Sequence, residues 1–178
     1  VVNKEPLPPS ALNKAINRDL EVIILKAMEK VKNRRYAAAG ELADDIENFL
    51  NGDPIQVSGK TELENALLGY DLGYVDESAG AAIEMMLHLW PNLQGMRVMG
   101  SAALGLAYAA CGRWDLYFHH SLAPWDLASG LLLVREAGGV VTDKHAGPAT
   151  LQSESVIAAG RGLHAAFLRA TEGLRWRR

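Results

Sequence analysis

The sequence lacks the features that mark secreted, membrane-spanning and nucleic-acid-binding proteins. It has a single cysteine, Cys111, so no disulfide can form within the chain, and a reducing compartment is expected. No apolar run is long enough to cross a bilayer, and Lys4 and the prolines at 6, 8 and 9 interrupt any signal-like segment. The net charge of -3 gives no general attraction to nucleic acid or anionic membranes. We therefore expect a cytoplasmic protein that binds neither.

The composition is that of a folded protein, with 49% hydrophobic and 22% charged residues. Its character changes near Gly52–Pro54 and Ser58–Lys60, which have the composition of a linker. We therefore divide the chain into residues 1–56 and 57–178. The last four residues, Arg175–Arg178, are locally basic and are predicted to form a frayed, solvated terminus.

Residues 1–56 are predicted to form two short helices. Apolar residues recur at helical spacing from Leu20 to Met28, and Asn17 or Asp19 is suited to cap that helix. A second helix is predicted from about Ala38 to Leu50, with a stop at the following Asn-Gly. Two such helices bury little apolar surface, so this segment is expected to be marginally stable alone.

Residues 57–178 are predicted to form a layered α/β domain, a mixed sheet flanked by helices, because strand and helix patterns alternate along the segment. The predicted strands are Ala66–Tyr70, Arg97–Met99, Trp114–Phe118, Val140–Thr142 and Ser155–Ala158. The predicted helices are Ser78–Trp90, Ser101–Ala110, Pro124–Ala137 and Leu163–Thr171.

The first segment carries the stretches Asp19–Lys30, Arg34–Tyr36 and Glu41–Ile46. Over roughly residues 15–55 it resembles the last two helices of the C-terminal lobe of bacterial serine/threonine protein kinases. Arg35 matches the arginine that pairs with a buried glutamate in those kinases. The chain has none of the kinase catalytic motifs, so no kinase activity is expected.

The second segment carries an ordered series of motifs: Arg97–Ala103, Trp114–Phe118, Pro124–Asp126, Glu136–Asp143 and Val156–Gly160. Over about residues 61–172 this series resembles the C-terminal half of the inositol monophosphatase family. The resemblance implies the fold of that half, Mg²⁺ as cofactor and hydrolysis of sugar or inositol monophosphates.

The same resemblance implies the site residues. Asp126 matches a metal-ligand aspartate, whose role is to hold the second Mg²⁺ near the leaving oxygen of the phosphate ester. A second interpretation of Asp126 stays open, because an acid in the first turn of a helix is also favourable for purely structural reasons. Gly100, Ser101 and Ala102 match a turn that lines the substrate pocket, although an ordinary packing turn explains them equally well.

His119 stands where many family members have a glutamate that binds a substrate hydroxyl. The histidine suggests another polyol or a second phosphate in place of inositol. Since neighbouring strand residues face opposite ways, we expect one inward and one exposed side chain from His119 and His120. Asp143 is predicted to be a turn residue, and Asp71 a solvated turn acid.

The family's N-terminal half supplies most of the ligands to the first Mg²⁺ through a glutamate loop and an Asp-Pro-Ile-Asp-Gly-Thr motif. The only partial match to this motif is Asp53-Pro54-Ile55, which is followed by Gln56-Val57 where the motif needs Asp-Gly. We therefore expect a truncated phosphatase that is inactive alone and that gains activity only with a complementary chain. One alternative is a non-catalytic interaction module with kinase-derived helices that binds a partner or, weakly, a sugar phosphate. The other is a chimeric gene product with no selected function. A truncated domain is also expected to expose an apolar face, through which it would associate with a complementary chain or as a homo-oligomer.

Overall fold

A computed structural model describes residues 7–28, 36, 38–52, 54–73 and 76–178. The chain divides into two compact units, Val1–Pro54 and Ile55–Arg178. Each unit has its own internal packing. Within the described ranges, no helix is long and apolar enough to cross a membrane.

The first unit consists of short helices with no described residue fully buried. They are α1 (Pro9–Leu12), α2 (Arg18–Ala27) and α3 (Ala39–Asn51). The side chain of Asn17 caps α2 by accepting a hydrogen bond from the Leu20 N–H at 2.9 Å. The sequence predicted α2 and α3 but not α1, and Arg35 lies outside the described residues.

The second unit alternates strands and helices, as the sequence predicted. Its strands are β1 (Leu67–Tyr70), β2 (Gly95–Val98), β3 (Leu116–His120), β4 (Val140–Thr142) and β5 (Ser155–Ala159). Its helices are α4 (Asp76–Leu89), α5 (Ala102–Ala110), α6 (Pro124–Glu136) and α7 (Arg161–Ala170).

The strands form one mixed sheet in the order β2-β1-β3-β5-β4. β1 is parallel to both β2 and β3, whereas β5 is antiparallel to β3 and β4. The three parallel strands therefore end at the same edge of the sheet. That edge is where open α/β sheets place ligand sites.

Each face of the sheet is covered by a separate apolar core. One core packs α5 and α6 against the face that carries Tyr117. The other packs α4 and α7 against the face that carries Phe118. Alternation along β3 decides which side chain enters which core.

The C-terminal turn differs from the predicted frayed tail. Arg175–Arg177 form a short 3₁₀ helix, and Trp176 is only 3% exposed. The indole of Trp176 packs edge-on against Phe118, and its Nε1–H donates to Nδ1 of His120 at 3.0 Å. The tail was mispredicted because the partners of Trp176 lie 56 or more residues away in sequence.

Candidate functional site

A cleft of about 360 Å³ lies at the carboxyl ends of β1, β2 and β3. It brings together all five residues that the resemblance singled out: Gly100, Ser101, Ala102, His119 and Asp126. Its remaining lining comes from the loop after β1 and from residues beside these five: Asp71, Leu72, Gly73, Val98, Ser121 and Leu122.

One wall of the cleft is the turn between β2 and α5. Gly100 has a φ of +76°, a left-handed conformation that favours glycine. The Ser101 hydroxyl caps α5 by accepting a hydrogen bond from the Leu104 N–H at 3.4 Å. Helix caps of this kind leave other first-turn N–H groups without an intrahelical acceptor. The turn therefore presents backbone donors beside the cleft.

Asp71 is the residue of this cleft whose role the sequence analysis missed. It was expected to be a solvated turn acid, yet it is 4% exposed. Its Oδ1 accepts hydrogen bonds from the N–H groups of Met99 at 3.0 Å and Gly100 at 2.6 Å. Its Oδ2 accepts from the Tyr117 hydroxyl at 2.8 Å. These partners are 28 to 46 residues away, so no local sequence signal pointed to them.

The histidine pair is buried as a whole, which contradicts the expectation of one exposed side chain. His120 accepts from Trp176 at Nδ1, so its Nε2–H donates to the Leu72 carbonyl at 2.6 Å. His119 is 8% exposed, and its Nδ1 has no hydrogen-bond partner within the described part of the chain. Burial lowers the pKa of His119, an effect that the negative charges of Asp71 and Asp126 oppose.

Asp126 occupies the third position of α6. Its Oδ2 accepts a hydrogen bond from the Ala123 N–H at 3.0 Å, which is the reciprocal half of a capping box. Oδ2 of Asp126 therefore has the structural role that an acid in the first turn of a helix was expected to have. Oδ1 has no hydrogen-bond partner among residues that the structure describes, and the side chain is half-buried at the cleft.

The residues present fit one part of a magnesium site. Mg²⁺ is bound through one or two carboxylates, with the remaining octahedral positions filled by water and substrate phosphate. Asp126 offers one such oxygen, whereas three donors already occupy the oxygens of Asp71. No group of three or more His, Cys, Asp or Glu side chains in the described ranges is placed to hold a metal ion.

A mixed sheet with helices on both faces and a cleft at the ends of its parallel strands defines a layered α/β domain. The chain belongs to the inositol monophosphatase family, whose sequence profile matches residues 31–175. Members of this family are generally Mg²⁺-dependent. The match begins within the first unit and takes in α3.

Curated relatives support the assignment over part of their length. The chain is 35% identical over 125 residues to the inositol-1-monophosphatase of Mesorhizobium japonicum, covering 70% of this chain and 47% of that protein. It is 33% identical over 152 residues to the inositol-1-monophosphatase of Rhizobium meliloti, covering 85% and 56%. The chain thus spans about half the length of the curated relatives it matches.

Solved structures confirm the predicted fold class. The inositol monophosphatase of Anabaena matches with a TM-score of 0.60 and 35% identity, covering 68% of this chain and 50% of that one. The extragenic suppressor protein suhB of Bartonella henselae matches with a TM-score of 0.62 and 33% identity, covering 67% and 46%. These comparisons lend no support to the kinase resemblance of residues 15–55, which stays a prediction from sequence.

Proposed function

We propose that the second unit forms the substrate-binding and leaving-group side of a Mg²⁺-dependent phosphatase site for inositol or related sugar monophosphates. The single observation that carries this proposal is the cleft, which gathers the Gly100 turn, His119 and Asp126 from three separate elements. Hydrolysis would need further metal ligands, which the described residues do not contain. The chain alone is therefore expected to bind without turnover.

In this proposal, the chain's own residues bind and orient the ester. Backbone N–H groups at the start of α5 donate to phosphate or sugar oxygens. The free Oδ1 of Asp126 would hold a magnesium ion, which when bound would offset negative charge on the ester. Oδ2 accepts a hydrogen bond from the Ala123 N–H, which fixes the orientation of the carboxylate.

His119 favours a substrate hydroxyl over a second phosphate. Because burial lowers its pKa, the imidazole is neutral near pH 7 and adds no positive charge to the cleft. Asp71 and Asp126 add negative charge to the same lining. His119 lines the cleft, and a neutral imidazole is suited to one hydrogen bond with a polyol hydroxyl.

The test combines binding with phosphate release. Calorimetric titration at pH 7.5 with millimolar Mg²⁺ is expected to show that inositol 1-phosphate binds and that fructose 1,6-bisphosphate binds more weakly. Phosphate release by the chain is expected to stay at the level of Asp126→Asn, and Asp143→Asn serves as a control outside the cleft. Failure to bind would contradict the proposal. Release that Asp126→Asn removes would refute the expected inactivity, and release that survives it would refute the role of Asp126.

A second function, association through an apolar surface, is favoured by a different observation. α6 exposes Trp125, Leu132 and Leu133, and α5 exposes Leu104. Trp125 is 79% exposed, and large apolar side chains clustered on a surface mark interaction sites. The occupant we propose is a second copy of this chain. A complementary chain that brings further metal ligands is the alternative occupant.

A further inference from the structure

Asp71 is a buried carboxylate to which the proposed function assigns no ligand contact. Burying a carboxylate is costly unless hydrogen bonds compensate it, and here three donors do so. Burial, together with the negative charge of Asp71, raises the pKa of Tyr117, so its hydroxyl stays protonated and donates. Every contact of Asp71 is thus an accepted hydrogen bond from the fold itself.

The position of these donors follows from where β2 ends. Among the described strands, β2 lies at the edge of the sheet and pairs with β1 alone, with Val98 opposite Tyr70. The next residues, Met99 and Gly100, have left the strand, so their N–H groups have no partner in the sheet. Asp71 follows Tyr70 directly and accepts from both with its side chain. The carboxylate therefore replaces the strand pairing that would otherwise hold this turn.

The turn that Asp71 holds is also a wall of the cleft. Gly100, Ser101 and Ala102 line it, and the direction of the first N–H groups of α5 depends on the left-handed conformation of Gly100. We propose that Asp71 is a positioning residue: it fixes the Gly100 turn and thereby sets the affinity of the cleft for a phosphorylated polyol. This inference rests on the proposed function, and it assigns Asp71 a hold on the turn through hydrogen bonds to Met99 and Gly100.

The first test measures the turn without any ligand. Asp71→Ala is expected to speed amide hydrogen exchange at Met99 and Gly100 at least tenfold, and Asp71→Asn, whose amide oxygen still accepts, is expected to restore part of the protection. The matched control is Asp143→Ala. Asp143 also accepts from two backbone N–H groups, those of His145 at 2.8 Å and Gly147 at 2.9 Å, but it lies outside the cleft lining. Wild-type exchange in Asp71→Ala would overturn the inference.

The second test titrates inositol 1-phosphate with Mg²⁺ while amide chemical shifts are recorded. Asp71→Ala is expected to bind at least tenfold more weakly and to lose the ligand-induced shifts at residues 101–103, whereas Asp143→Ala binds like wild type. Wild-type affinity alongside altered exchange would overturn the positioning role. If Asp71→Ala does not fold, the same comparison is made with Asp71→Asn. If the wild type binds nothing, the proposed function fails, and exchange at Met99 and Gly100 alone decides whether Asp71 holds the turn.

Discussion

At the scale of single residues, His164 is a buried histidine that is expected to make stability depend on pH. Thr142 donates its hydroxyl hydrogen to the Asp143 carbonyl, so it accepts from His164 Nε2–H at 3.0 Å. Burial, with a smaller contribution from the positive charge of Arg177, lowers the pKa of His164 to about 4. The imidazole is therefore held neutral in the folded state.

This lowered pKa predicts a loss of stability in acid. A histidine that binds its proton less tightly when folded contributes stability that is complete above its unfolded pKa of about 6.5 and is lost as the pH falls toward 4. The contribution of His164 is about 3 kcal/mol by the proton-linkage relation. All four tryptophans lie in the second unit, so urea denaturation followed by tryptophan fluorescence measures this unit.

His164→Gln separates this residue from the others. His119 and His120 also have pKa values lowered by burial and add to the same pH dependence. The variant is therefore expected to flatten the slope between pH 6.5 and 4 without abolishing it. An identical slope in wild type and variant would refute the assignment to His164.

At the residue scale, features set by neighbouring residues in the sequence were predictable, whereas features set by contacts between distant residues were not. The Gly100 turn was predictable because a strand end, a glycine and a helix start stand next to each other in sequence, whereas Asp126 was singled out by the family resemblance. The buried state of Asp71 was not predictable, since Met99, Gly100 and Tyr117 reach it only through the pairing of β1 with its neighbours. The hydrogen bond from Trp176 to His120 was missed for the same reason, because the two residues are 56 positions apart in sequence.

At the scale of elements, the packing of α5 against α6 depends on a glycine. A Cβ at Gly130 would lie 2.6 Å from the Cβ of Leu106, a side chain that is completely buried. Only a residue without a side chain lets the two helices approach this closely. α5 begins at the Gly100 turn and α6 carries Asp126, so this contact holds two sides of the cleft together.

Gly130→Ala is therefore expected to destabilise the second unit by about 1–3 kcal/mol through overpacking. Gly80→Ala is the matched control, since Gly80 also lies inside a helix, α4, and a Cβ there meets nothing within 4 Å. The control is expected to stabilise by about 0.5–1 kcal/mol, because alanine is the better helix former. Equal effects of the two substitutions in urea denaturation would contradict the close approach.

Periodicity predicted which segments form helices and strands, but it located the ends of these elements less accurately. The predicted strand Trp114–Phe118 is β3, which runs from Leu116 to His120. Trp114 is buried by packing against Tyr108 and Tyr117 before the strand begins, so its apolar character does not mark the strand start. The other end extends to His120 because β5 pairs with it as far as Ser155.

At the scale of the whole molecule, α6 presents large apolar side chains on the surface of the second unit. Trp125 and Leu132 are seven residues apart on α6, which places them on the same helix face, and both are more than half exposed. Such a surface favours association when it is not covered. A pair of copies joined through α6 is the arrangement we expect.

Sedimentation velocity is expected to show concentration-dependent association of the chain that the double variant Trp125→Ser, Leu132→Ser weakens at least tenfold. Leu87→Ser is the matched control, since Leu87 is equally exposed but lies on α4, on the other side of the sheet. Association that Leu87→Ser weakens as much as the double variant does would place the contact elsewhere. A wild-type chain that stays monomeric would refute the surface as a self-association site.

The central claim is that Asp126 holds a cation beside the Gly100 turn. The most direct measurement adds Mn²⁺, a paramagnetic substitute that also prefers oxygen ligands, together with inositol 1-phosphate, and records the broadening of backbone amide resonances. We predict broadening at Gly100, Ala102 and Asp126 in the wild type and in Asp143→Asn, and its loss in Asp126→Asn, which keeps an oxygen to cap α6. Broadening centred on other acids, or unchanged in Asp126→Asn, would contradict the account.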